Sequence, residues 1–172
     1  MSTRDFIPLN IAILTVSDSR TEETDKSGKF LVDRLTAAGH HTADKVIVPD
    51  DIYQIRAIVS GWIANPEIPI IITTGGTGLT GRDRTPEALE VLFDKPIDGF
   101  GELFRSLSYE DIKTSTIQSR AFAGVANGTY IFGLPGSTGA CKMGWDQILK
   151  AQLDYCTRPC NFVEMMPRLL ET

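Results

Sequence analysis

Ile11-Ala12-Ile13-Leu14-Thr15-Val16 is an almost unbroken apolar run rich in β-branched residues, the pattern of a strand covered on both faces in a parallel sheet. A polar, acidic stretch from Asp18 to Lys26 follows. Beyond it Phe30, Leu31, Leu35 and Ala38 recur at helical spacing, with Ser27 placed to cap the helix and Gly39 to supply a left-handed C-terminal position. The alternation then repeats. Asp44 to Val48 predicts a second strand, Pro49-Asp50-Asp51 a turn with Asp51 as N-cap, and Ile52, Ile55, Val59, Trp62 and Ile63 one face of a helix that Asn65-Pro66 ends. Ile68 to Thr73 predicts a third strand running directly into Thr73-Thr74-Gly75-Gly76-Thr77-Gly78.

In the second half, Thr85-Pro86-Glu87 reads as N-cap, N1 and N2 of a helix reaching about Phe93, because a proline at N1 loses no hydrogen bond. A polar break from Asp98 to Glu102 leads to an amphipathic stretch with Leu103, Phe104 and Leu107. Ala121–Ala126 and Tyr130–Leu134 flank Asn127-Gly128, a strong hairpin signal. Pro135-Gly136-Ser137 makes a second strand-loop-helix junction before a helix from Thr138 to Tyr155 that buries Trp145, Ile148, Leu149 and Leu153. The ending through Pro159 and Pro167 reads as irregular or short-helical. With no linker, low-complexity tract or repeat, residues 1–172 read as a single α/β domain: three layers, α/β/α, around a mostly parallel sheet carrying one antiparallel strand.

Composition narrows the function. Hydrophobic content of 42% suits a packed core, and a net charge of −5 argues against a general nucleic-acid binder, whose affinity rests on many Lys/Arg–phosphate contacts. The N-terminus, Met1-Ser2-Thr3-Arg4-Asp5-Phe6, carries a charge pair instead of an apolar leader core, and no apolar run is long enough for a membrane span. The expectation is a cytoplasmic protein. Cys141, Cys156 and Cys160 lack a second pair at zinc-ligand spacing and read as free thiols, and His40 and His41, heading a strand, read as solvated edge residues.

Gly75, Gly76 and Gly78 permit positive φ and close backbone approach, while amides and threonine hydroxyls supply donors to an anion. A phosphate pocket and a tight turn that needs glycine sterically both fit the loop alone. Walker A is excluded because no Gly-Lys-Ser/Thr closes it. Gly76-Thr77-Gly78-Leu79-Thr80-Gly81 matches the dinucleotide pattern, but it follows the third strand, and Gly81-Arg82-Asp83-Arg84 intervenes before the helix.

Asp83, between Arg82 and Arg84, is an acid able to hold a hard cation beside charges able to neutralise phosphate; in isolation the segment reads more readily as a solvated loop of mixed charge, and its place at a ligand-bearing edge reverses that preference. Asp50 closes the second strand and is a metal candidate or a plain turn residue, whereas Asp51 is a cap. Ser17, Asp18, Glu102, Ser119, Arg120 and Pro135-Gly136-Ser137 fall in loops expected at the same sheet edge.

Together, Thr73-Thr74-Gly75-Gly76-Thr77-Gly78, Arg82-Asp83-Arg84-Thr85-Pro86-Glu87-Ala88, Gly99-Phe100-Gly101-Glu102, Ser119-Arg120 and Leu134-Pro135-Gly136-Ser137 resemble the molybdopterin-binding, or molybdopterin adenylyltransferase, family over about residues 11–158. The resemblance implies an α/β/α fold in which molybdopterin and an adenine nucleotide meet at the C-terminal edge of the sheet, and Mg²⁺-ATP adenylylates the terminal phosphate of molybdopterin. It carries Asp50 and Asp83 over as catalytic, Mg²⁺-holding residues. Ser17, Asp18, Thr74, Gly75, Gly76, Thr77, Gly78, Arg82, Thr85, Glu102, Ser119, Arg120, Pro135, Gly136 and Ser137 become the pterin- and nucleotide-binding set, with Arg82 or Arg120 on the transition-state charge. It further implies trimers or hexamers and delivery of product to a downstream molybdate-inserting protein. A non-catalytic pterin carrier of the same pathway is the alternative. Some members lose the Arg-Asp-x-Thr motif; this chain keeps Arg82, Asp83 and Thr85.

Overall fold

The computed structural model describes residues 4–172, so Met1 to Thr3, part of the N-terminal stretch considered above, lie outside the described residues. Strands form at Asn10–Val16 (β1), His41–Val48 (β2), Ile70–Thr74 (β3), Lys95–Pro96 (β4), Phe122–Ala126 (β5) and Thr129–Leu134 (β6). They make one sheet in the order β2-β1-β3-β6-β5-β4. The pairs β2/β1, β1/β3 and β3/β6 are parallel, and β5 runs antiparallel to both β6 and β4. The hairpin between β5 and β6 turns on Asn127 (φ 48°) and Gly128 (φ 78°). Positive φ at both central residues is what a tight right-twisted hairpin requires.

Helices Lys26–Ala37 (α1), Asp98–Ile112 (α4) and Thr138–Gly144 (α5) cover one face of the sheet, and Ile52–Ile63 (α2) with the short Thr85–Leu89 (α3) covers the other. The strands alternate between the two cores. Ile11, Ile13, Ile70 and Ile72 pack with Leu31, Leu35, Phe104 and Trp145, while Ala12, Leu14 and Ile71 pack with Ile55, Val59 and Leu89. A one-residue slip of β1 or β3 would exchange the two sets, which pins the register that aligns the strand ends.

Several local expectations change. Asp25, not Ser27, caps α1: its carboxylate accepts from the Gly28 amide at 2.9 Å, and Ser27 lies inside the first turn. Thr85 is the first residue of α3 and leaves that helix without a side-chain cap, because its hydroxyl donates to the Gly75 carbonyl at 2.9 Å. The last long helix stops at Gln152 and is interrupted by a π turn over Trp145–Leu149, since apolar spacing at 145, 148, 149 and 153 fits either geometry. Strand β2 begins at His41, and β3 is displaced two residues and one residue at its ends from the expected 68–73.

His40 also departs from expectation. It is buried, its Nδ1 accepts the Leu9 amide at 3.2 Å, and its ring packs between Phe6 and Trp145. Among the described residues no helix is long and apolar enough to cross a membrane.

Burial, offset in part by Asp154, pushes the His40 imidazole below its ordinary value of 6.5. The folded chain therefore resists the proton that the unfolded chain accepts, so stability is intact above the unfolded pKa and declines as pH falls below it. Urea unfolding should show stability falling as pH drops below about 6.5, where the unfolded imidazole takes up a proton that the folded one resists. In His40→Gln that component of the slope should vanish; an unchanged slope would refute the assignment.

Candidate functional site

The strand order reverses between β1 and β3, because β2 lies outside β1 and the chain returns on the opposite side to form β3. Loops leaving adjacent parallel strands at such a point diverge and open a crevice, the usual ligand position in open α/β sheets. Here Ser17 follows β1, Gly75–Gly78 follows β3 and Pro135-Gly136-Ser137 follows β6. Between them lies a cleft of about 880 Å³.

Gly75 has φ +102°, and a Cβ there would strike the Val16 carbonyl. Its amide donates to the Leu134 carbonyl at 3.0 Å, continuing the β3/β6 ladder past the strand end. Gly76 has φ +66°, and a Cβ there would strike the Thr85 hydroxyl and come within 2.8 Å of Asp50 Oδ1. A Cβ on Gly136 would lie 3.2 Å from Gly75 Cα, so the two loops touch backbone to backbone. The amides of Gly76 and Thr77 donate to no protein acceptor among the described residues. The tight turn that the glycines permit is what leaves these donors free.

Two carboxylates lean over this cradle. Asp50 Oδ1 is buried without a hydrogen-bond partner, and burial, with the charges of Asp18 and Asp83, raises its pKa despite nearby Arg82. Asp83 approaches Gly78 closely, its Oδ2 lying 2.6 Å from where a Gly78 Cβ would sit. That oxygen accepts from the Thr80 hydroxyl at 2.6 Å and the Thr80 amide at 2.9 Å, and these bonds hold the carboxyl below its usual range. Asp51 instead spends one carboxylate oxygen on the Tyr53 and Gln54 amides at the start of α2, as expected for a cap.

Ser17, Asp50, Thr74, Gly75, Gly76, Thr77, Gly78, Asp83, Ser119, Pro135, Gly136 and Ser137 all line the cleft. Asp18, Arg82, Thr85, Glu102 and Arg120 do not. Asp18 accepts two bonds from Arg82, at 2.6 and 2.9 Å, and one from the Asp50 amide at 3.0 Å, so this acid and this cation neutralise each other on the surface. Thr85 lies beneath the glycine loop, and Glu102 lines a separate depression beside Arg105 and β5. Arg120 donates to the carbonyls of Gly78 and Asp83 and pairs with Glu87.

Other cleft residues were missed in the sequence. Phe104, Ser108, Asp111 and Ile112 of α4, with Ser115 and Gln118 of the 3₁₀ segment Lys113–Gln118, form the facing wall. Their amphipathic spacing looked purely structural. Arg20 and Lys26 bring exposed cations to the α1 side. At the floor, Asp25 is 3% exposed and accepts from Thr15 at 2.8 Å and pairs with Lys45 at 3.0 Å. Burial alone would push its carboxyl up, but Gly28, Thr15 and Lys45 together hold it below the usual range. An acid three residues before Gly28, just past a buried strand, was the available signal. Burial pushes the Cys141 thiol up to about 11, which removes it as a nucleophile near neutral pH.

A doubly covered, mostly parallel sheet with a glycine cradle and two carboxylates at its switch point defines an α/β protein with a cleft of free backbone donors at the ends of its parallel strands. Within that class, the chain belongs to the molybdopterin-binding family: residues 12–155 match the family described as probable molybdopterin binding domain. It is 58% identical over 158 residues to molybdenum cofactor biosynthesis protein B of Escherichia coli K12, covering 92% of this chain and 93% of that protein. A crystal structure of molybdenum cofactor biosynthesis protein B superposes with a TM-score of 0.83 at 41% identity, covering 89% and 94% of the two chains. The tungsten cofactor synthesizing protein MoaB from Pyrococcus furiosus gives 0.74 at 37% identity, covering 83% and 91%. The family expected from the motifs is thus the family found.

The crowding at Gly76 makes a selective prediction. Gly76→Ala should destabilise the fold by about 1–3 kcal/mol through positive φ and the contact with Thr85, and should weaken binding of a phosphate ligand. Gly81→Ala, in open space, should change stability by less than about 0.5 kcal/mol. Chemical denaturation of both variants beside the parent decides it, and equal losses would remove the steric account.

Proposed function

We propose that the chain binds molybdopterin in the Gly75–Gly78 cleft and adenylylates its terminal phosphate with Mg²⁺-ATP in molybdenum cofactor synthesis. The observation that carries this reading is the buried, unpartnered Oδ1 of Asp50, facing the same cradle as Asp83. An anion held so, with a raised pKa, is stabilised by a cation the protein does not itself supply.

The donor set fits Mg²⁺. Among the described residues no three His, Cys, Asp or Glu side chains converge, and one or two carboxylates completed by phosphate oxygens and water are what this ion takes. Asp50 and Asp83 would hold it, and when bound it supplies neutralisation of phosphate charge. An oxygen of the pterin phosphate attacks the α-phosphorus of ATP; the new P–O bond forms as the bond to the β-phosphate bridging oxygen breaks, and pyrophosphate leaves. The chain offers no covalent intermediate. Its part is positioning: the free amides of Gly76 and Thr77 take phosphate oxygens, Arg20 and Lys26 add positive charge at the α1 side, and the wall from Phe104 to Gln118 limits water.

Asp50→Asn separates the roles cleanly because Asp50 Oδ1 has no protein hydrogen bond to lose. The variant should fold with at least the stability of the parent, since a poorly solvated charge near Asp18 and Asp83 is removed. Adenylylation of molybdopterin with Mg²⁺-ATP should fall by about a hundredfold or more in Asp50→Asn and in Asp83→Asn. Asp51→Asn should be nearly silent, because asparagine caps almost as well as aspartate. Equal turnover in parent and Asp50→Asn would sink the metal role, and pterin binding without turnover in the parent would make the chain a carrier.

Assembly into trimers or hexamers is part of the same proposal, on altered grounds. The aromatic-rich segment from Phe93 to Tyr109 suggests an interface by its composition, but most of its rings are used internally: Phe100 and Phe104 are buried, and Phe93 occupies the space that glycine leaves at Gly124. The exposed apolar side chains of this region are instead Leu103, Tyr109, Ile112 and Ile117, along α4 and its 3₁₀ extension. Equilibrium sedimentation at micromolar concentration should show an oligomer, and a monomer alone would rule this out.

A further inference from the structure

We propose that Arg120 is a positioning residue that clasps the ligand loop in its binding geometry, and that it acts through this loop without touching the substrate. Three of its nitrogens are committed to the loop and to α3. Nε donates to the Gly78 carbonyl at 2.9 Å, Nη2 donates to the Asp83 carbonyl at 2.9 Å, and Nη1 pairs with Glu87. The side chain is 29% exposed and does not line the cleft; it faces the separate depressions on the outer side of the loop. Between the two clasped carbonyls runs the exposed stretch Leu79–Arg82, tied otherwise by the bonds between Thr80 and Asp83 and by the surface pair of Arg82 with Asp18.

The planar fork is what the arrangement needs. Two carbonyls five residues apart along the chain converge on one guanidinium, a bridging geometry that an ammonium on a flexible stem does not reproduce. Glu87, at the start of α3, turns the fork toward the loop and balances its charge. The clasp also joins opposite sides of the cleft, because Ser119, the preceding residue, lines the wall facing the glycine cradle. Asp83 is thereby held by its backbone from one side and by Thr80 from the other. The inference rests on the reading that Gly75–Gly78 and Asp83 hold the ligand.

The experiment uses the full chain with Arg120→Ala and Arg120→Lys, with two readouts. Amide exchange should show protection at Thr80 and Asp83 falling about tenfold or more in both variants while β1 and β3 keep theirs, since hydrogen bonds to a charged donor are lost. Molybdopterin affinity should weaken about tenfold or more in both, and millimolar ethylguanidinium, but not ethylammonium, should restore much of it in Arg120→Ala. Unchanged protection at Thr80 and Asp83 would overturn the clasp. So would full affinity in Arg120→Lys, which would mark Arg120 as a simple charge. A parent that fails to bind molybdopterin would defeat the functional reading, while the exchange measurement would still decide for or against the clasp. Should Arg120→Ala not fold, Arg120→Lys carries both readouts.

Discussion

The site depends on how closely the chain leaving β3 passes the carbonyl of Val16. No side chain fits at Gly75, and the residue must take φ +102° to continue the ladder toward Leu134 while clearing β1. That contact holds the ends of three parallel strands at one level. The next residue, Gly76, also takes a positive φ, and a side chain there would meet Thr85 and Asp50. The free amides of the loop, the position of Asp50 and the seat of Thr85 all follow from one steric limit.

Charge in the cleft is arranged by pairing. Asp18 and Arg82 satisfy each other at the rim, Asp25 is satisfied by Lys45 and Thr15 at the floor, and Asp83 by Thr80. Asp50 is left with a bare buried oxygen. A net charge of −5 would repel an anionic ligand if it were spread over the cleft. Pairing removes Asp18 and Asp25 from that balance and leaves Asp50 and Asp83 at the cradle and Asp111 on the facing wall as cleft carboxylates without a cationic partner among the described residues.

The glycine loop therefore has an inside and an outside. Inside, Gly76, Thr77 and Asp50 face the cleft; outside, Thr85 and Arg120 hold the backbone through its carbonyls. Sequence motifs group these residues without distinguishing the two roles. Thr85 and Arg120 look like ligand contacts because they accompany the loop, yet Thr85 bonds to main chain, and Arg120 to main chain and to Glu87.

Local pattern was enough for the architecture. Apolar runs marked β1 and β3, Asn127-Gly128 marked the antiparallel hairpin, and the Gly75–Gly78 segment was placed at a strand end, because strand burial and positive φ are properties of a few adjacent residues. Partner choice was not local. Asp25 displaced Ser27 as the α1 cap because Lys45, on β2, reaches the same carboxylate. His40 became buried because Phe6 and Trp145 close over it from distant parts of the chain, and Thr85 left its helix for Gly75. Arg120 reached Gly78 across 42 positions. Periodicity records which face of an element is apolar; which polar group meets which is decided only when the sheet order brings the loops to one edge, and there an unpartnered buried group is too costly to leave to chance.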